Sequence, residues 1–116
     1  MRETFHLVPA DVWLASDAET AYEASSLEPE GFIHCTDGEA PLGVTFDRYY
    51  AEDPRQFLAL TVDLDALDVA WRYDVPGSPY PHIYGPIPRA AVLGVSRVAR
   101  DHGGRFAGLS PAGPRP

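Results

Sequence analysis

Residues 76–88 read Pro76-Gly77-Ser78-Pro79-Tyr80-Pro81-His82-Ile83-Tyr84-Gly85-Pro86-Ile87-Pro88, and five of the chain's twelve prolines fall within them. Each proline fixes φ, removes a backbone donor and pushes the residue before it toward extended geometry. This segment therefore cannot be a helix. It must run extended and stiff, with few N–H groups to offer a sheet, and the remaining elements must form around it. Side chains alternate along an extended chain, so Tyr80, His82 and Tyr84 share one face, opposite Pro81 and Ile83.

A second segment has the same character. Gly31-Phe32-Ile33-His34-Cys35-Thr36 is a compact strand candidate. Alternation puts Phe32, His34 and Thr36 on one face and Ile33 and Cys35 on the other. If the two segments are neighbours, His34, Thr36, His82 and Tyr84 line one pocket. Cys35 follows His34 directly, but adjacent strand residues point apart. The thiol is therefore expected to be buried and inert rather than paired with the imidazole as a nucleophile. No histidine, cysteine or carboxylate pair has a recognised metal-ligand spacing, and no metal site is expected.

The surrounding elements follow from periodicity and punctuation. Thr4 to Val8 reads as a first strand, and Pro9 opens a short helix to about Ser16 with Val12 and Trp13 toward the core. Residues 17–30 are polar and acidic, a loop with at most one helical turn. Thr36 and Glu39 fit a capping box. The helix behind it would set Leu42, Thr45, Phe46 and Tyr49 on one face. Phe57 to Leu64 is apolar on both faces, as a central strand is. A turn leads to a strand at Val69–Tyr73, and Val92–Arg100 and Arg105–Leu109 read as a hairpin across Asp101-His102-Gly103-Gly104. The sum is one small α+β domain over residues 1–110, with two short helices, five or six strands and a frayed tail at 111–116.

With 116 residues the chain suits one domain, and its 45% apolar content excludes wholesale disorder. No apolar run approaches a membrane span, and the N-terminus lacks the apolar stretch of a secretory signal, which points to the cytoplasm. A single cysteine excludes an intrachain disulfide. All nine basic residues are arginine, which excludes lysine Schiff-base chemistry and a lysine phosphate loop. Residues 1–70 carry three arginines against fifteen acidic residues, whereas residues 71–116 carry six against two. The acidic total disfavours non-specific nucleic-acid binding, and any bound anion should draw its cation from the second half.

The block Gly31–Thr36 followed by a helix, together with Pro81–Pro88, resembles the two signature blocks of a small bacterial family, domain of unknown function 952. The similarity runs from about Phe5 to Val98. The resemblance implies a fold similar to that of ADP-ribosyltransferases, a split and mostly antiparallel β-structure around an NAD-sized cleft. In that wider group a first-strand histidine followed closely by serine or threonine contacts the nicotinamide ribose, and His34 and Thr36 resemble that pair. An aromatic residue stacks on nicotinamide there, for which Tyr49, Tyr80 and Tyr84 are the candidates. The sequence departs from the group in having no glutamate after Glu52, where the transferases place a catalytic one. Related RNA 2′-phosphotransferases hold phosphate with arginines and a histidine, a role open to Arg48, Arg72 and Arg89.

Three classes of function stay open at this stage. In the first, an enzyme or degenerate enzyme acts on NAD or another nucleotide, with His34 and His82 as the catalytic candidates. In the second, the same cleft binds a small molecule without chemistry. In the third, the histidines and tyrosines complete a hydrogen-bonded interior of a structural or interaction protein. Oligomeric state is not indicated.

Overall fold

The computed structural model describes residues 1–111. The chain runs β1 (Glu3–Pro9), α1 (Ala10–Ala15), α2 (Leu27–Glu30), β2 (Ile33–His34), α3 (Glu39–Tyr49), β3 (Phe57–Asp63), β4 (Trp71–Arg72), β5 (His82–Ile83), β6 (Val92–Arg100) and β7 (Phe106–Pro111). Single 3₁₀ turns at Leu64–Ala66 and Arg89–Ala91 lead out of β3 and into β6. This is a compact α+β arrangement of two antiparallel sheets. One has the order β1-β3-β6-β7 and the other β2-β5-β4.

Strand β3 lies between β1 and β6, and its first four residues are all buried. It is central because Phe57-Leu58-Ala59-Leu60 has an apolar side chain for each face. On one face Leu42 and Phe46 of α3 pack with Phe57, Ala59 and Val98. On the other, Val8, Leu58, Leu60 and Val62 meet Ile33, Cys35, Ile83 and Ile87 from the small sheet and its flanks. The layers are helix α3, the four-stranded sheet, then the three-stranded sheet.

Proline chemistry explains why the small sheet is so short. The carbonyls of Pro79 and Pro81 accept from Asp37 N (2.7 Å) and Cys35 N (3.2 Å), but neither proline has an N–H to return the bond. Pairing thus continues past β5 in one direction only. Burial alternates strictly from Pro81 to Ile87, with the odd-numbered residues buried.

The two glycines of these segments have separate causes. Gly31 ends α2 in the left-handed region (φ 85°), its N–H bonding Leu27 O at 2.8 Å, and turns the chain into β2. Gly85 is set by close approach instead, since a Cβ there would lie 2.6 Å from a methyl of Val69.

Several expectations need correction. Thr36 does not cap α3: the N-cap is Gly38, with no side-chain cap, because Thr36 is held in a bridge to Phe5. Tyr49 is 66% exposed rather than part of the buried face of α3, and Val12 is 43% exposed. The expected two helices and five or six strands are three helices, one of them the single turn α2, and seven strands among the described residues. Pro111 closes β7 instead of beginning a tail, and residues 112–116 of the expected tail lie outside the described residues.

Candidate functional site

Strand register builds a row across the small sheet. His34 on β2 lies opposite His82 on β5, and His82 lies opposite Arg72 on β4. The next row is Ile33, Ile83 and Trp71. A strand alternates its side chains, so once the isoleucines are drawn into the core the His34–His82–Arg72 row must face outward. Phe32 and Tyr84 flank it on the same side. The Phe32 ring stacks on His82 with centroids 4.0 Å apart, and the two imidazole centroids are 5.5 Å apart in an edge-on arrangement.

Asp74 ties this face together. His82 Nδ1 donates to Asp74 Oδ2 at 2.6 Å, the Tyr84 hydroxyl donates to the same oxygen, and Arg72 Nε donates to Oδ1 at 2.7 Å. These donors hold the Asp74 carboxyl down to about 2, the Tyr84 hydroxyl contributing most, then His82 and Arg72. The same bond to Asp74 raises the Tyr84 phenol. Because Nδ1 of His82 donates to a carboxylate, its Nε2 is left as the acceptor. The Arg72 guanidinium also lies over the Tyr84 ring, 4.1 Å from its centroid. On the β2 side, His34 Nε2 bonds Glu30 Oε1 at 2.9 Å, one helical turn earlier in the chain.

Behind the row lies a buried imidazole of different character. His6 Nδ1 donates to the His34 carbonyl at 2.8 Å, which leaves Nε2 to accept from the Tyr22 hydroxyl at 2.9 Å. Burial lowers His6 to about 4, only partly offset by the bond to His34. It is a neutral strut between β1, the backbone of β2 and the loop at Tyr22.

The other sequence candidates are dispersed. Thr36 is 4% exposed, and its backbone N and O both bond Phe5. The segment still bonds Pro81 and Pro79 through Cys35 N and Asp37 N while Thr36 pairs with β1, and there the Thr36 side chain is buried beside Thr45 of α3. Tyr49 and Arg48 sit on α3, on the far side of the four-stranded sheet, with the Arg48 guanidinium against the Tyr49 ring. Tyr80 is at the surface two residues before His82, and no hydrogen bond or ring contact joins it to the cluster. Arg89 lies over Trp13 and donates to the carbonyls of Asp17 and Thr20 and to Ser16 Oγ, clamping the loop after α1. Cys35 is buried with its thiol pushed up by desolvation, on the face opposite His34.

Two contributors escaped the sequence reading. Asp74 was visible in principle, since it lies two residues after Arg72 and so on the same face of an extended chain. Glu30 comes from a loop region whose one helical turn brings it beside His34, and no short-range pattern marks that. Among the described residues no group of three or more His, Cys, Asp or Glu is arranged to hold a metal ion, and no helix is long and apolar enough to cross a membrane.

Comparison with solved structures finds the same fold in protein CC0527 from Caulobacter crescentus. Its crystal structure, and that of a double mutant, superpose with TM-score 0.72 at 19% identity, covering 90% of this chain and 93% of that one. The solution NMR structure of CC0527 gives 0.70 at 21% identity, covering 91% and 92%. Comparison with curated proteins gives no match. A family model described as protein of unknown function, DUF952, matches residues 7–95, a span holding β2, β5 and the whole Asp74-centred face; the chain belongs to that family.

Proposed function

We propose that the outer face of the small sheet binds a nucleotide-class ligand, NAD or another nucleotide. The observation that carries this reading is the His34–His82–Arg72 row braced by Asp74. It presents a guanidinium for phosphate, two imidazoles for ribose or phosphate oxygens, and the Phe32 and Tyr84 rings for a flat base. Both histidines bond carboxylates at the surface, which speaks against an arrangement that merely completes a polar interior. NAD as the specific nucleotide rests on the resemblance to ADP-ribosyltransferases. The folded chain sets Glu30 beside His34, so a glutamate stands at this face although none follows Glu52 in the sequence.

The test is calorimetric titration of NAD, ADP-ribose and AMP, with chromatography for released nicotinamide. Binding of at least one of them, weakened about tenfold or more by Arg72→Ala, supports the reading. Nicotinamide release would make the protein an enzyme on NAD, and binding without release a non-catalytic module. No heat with any of the three at millimolar concentration would sink the proposal.

A further inference from the structure

Resting on that reading, we infer that this face opens cyclic phosphate esters of ribonucleotides by proton transfer between its two histidines. The cluster offers two proton-transfer groups and a cation, but no serine, threonine or cysteine nucleophile: Thr36 and Cys35 are both buried away from it. The attacking group must then be water or a hydroxyl of the substrate. A ribose 2′,3′-cyclic phosphate suits water attack, because its strained ring holds the leaving oxygen opposite the incoming one.

The surroundings of the two rings differ in a way that divides the labour. His82 faces Arg72 across the strand pair, and the charge of its partner Asp74 is already shared with Arg72 and Tyr84. His34 bonds Glu30 through Nε2, which leaves its Nδ1 as the second proton-transfer atom when the ring carries both protons. His82 Nε2 takes a proton from water as its oxygen attacks phosphorus. The P–O2′ bond breaks, and the leaving oxygen takes the proton at His34 Nδ1. Ester and water become a ring-opened 3′-phosphomonoester, and solvent returns the two histidines to their starting states. Arg72 faces the non-bridging oxygens, where charge builds in the transition state. Asp74 is a positioning residue that fixes the His82 tautomer.

The experiment is ³¹P NMR of adenosine 2′,3′-cyclic monophosphate with the purified protein. It is run beside a calorimetric titration and repeated for His82→Asn, His34→Gln and Arg72→Ala. Circular dichroism verifies that each variant is folded. The expected result is a monoester signal replacing the cyclic ester, with a bell-shaped pH profile. Each histidine variant should lower the rate by about 10²-fold or more, and Arg72→Ala should lower kcat as well as weaken binding. Binding of the cyclic nucleotide without opening overturns the inference and leaves the nucleotide reading standing. Failure of the cyclic nucleotide, NAD, ADP-ribose and AMP all to bind overturns both. Equal rates in wild type and both histidine variants also overturn the inference, since the activity would then lie elsewhere.

Discussion

The two faces of the three-stranded sheet share six residues in register and could hardly differ more in use. The inward row, Ile33, Ile83 and Trp71, contributes both isoleucines at 0% exposure to the core between the sheets. The outward row points away from that core and is bound up in carboxylates, with His34 and Arg72 exposed and His82 half-buried under the Phe32 ring. Apolar burial contributes stability in proportion to area, whereas exposed ion pairs contribute little. The inner face should therefore hold the fold and the outer face should be nearly dispensable for it. A face that is costly to arrange yet adds little stability is where ligand chemistry belongs.

That contrast can be broken in several ways. The largest effect is expected for Ile83→Ala, which leaves a cavity between the sheets and should cost about 2–5 kcal/mol in denaturant unfolding. His34→Ala on the outer row, whose side chain is 56% exposed, should cost less than about 1 kcal/mol. Similar losses at both positions would mean that the outer row is structural.

Acid gives the next test, through His6 behind the row. Its folded value of about 4 lies below the ordinary 6.5. Between those values the unfolded chain takes up a proton that the folded chain refuses. Stability should thus fall as pH drops from about 6.5 to about 4, by on the order of 3 kcal/mol, and this contribution should level off below that. Urea unfolding at pH 7, 5.5 and 4 measures the slope, and His6→Gln should flatten it.

Gly85→Ala drives a Cβ into Val69 and should cost about 1–3 kcal/mol, read as a lowered Tm. The smallest effect concerns Asp74, whose carboxyl is held at about 2 against an ordinary 3.8. Its stabilising contribution is present above the higher value and lost as pH falls from there toward 2. Asp74→Asn should remove that shallow acid limb. It should also shift the His82 imidazole nitrogen resonances in NMR spectra at neutral pH, because the carboxylate acceptor at Nδ1 is gone.

Much of this architecture is legible in the chain, for local reasons. Five prolines force residues 76–88 to be extended, and alternation then places His82 with Tyr84 and opposes them to Ile83, as found. The same rule separates His34 from Cys35. It does not foresee the burial of Thr36, because the segment there pairs with β1 as well as with Pro79 and Pro81, and Thr45 of α3 lies beside the side chain. A second strand partner is a tertiary event with no local signature. Tyr49 failed differently: the covered stripe runs Leu42, Phe46 and Tyr50, whose ring packs against Phe57, and Tyr49 falls beside it. The arginines were indistinguishable by sequence, since Arg72 and Arg89 both lie near the proline segment. Only the fold shows one bonded to Asp74 beside His82 and the other clamping backbone carbonyls over Trp13.

The central claim, that the outer row is a ligand face mounted on an apolar base, is tested most directly by titrating ADP-ribose into ¹⁵N-labelled protein and mapping the amide and imidazole shifts. The account predicts saturable changes centred on His34, Arg72, His82 and Tyr84, with α3 and the β6–β7 hairpin unmoved, and their loss in Arg72→Ala at unchanged Tm. Changes centred on Arg48 and Tyr49 of α3, or none anywhere at millimolar ligand, would contradict it.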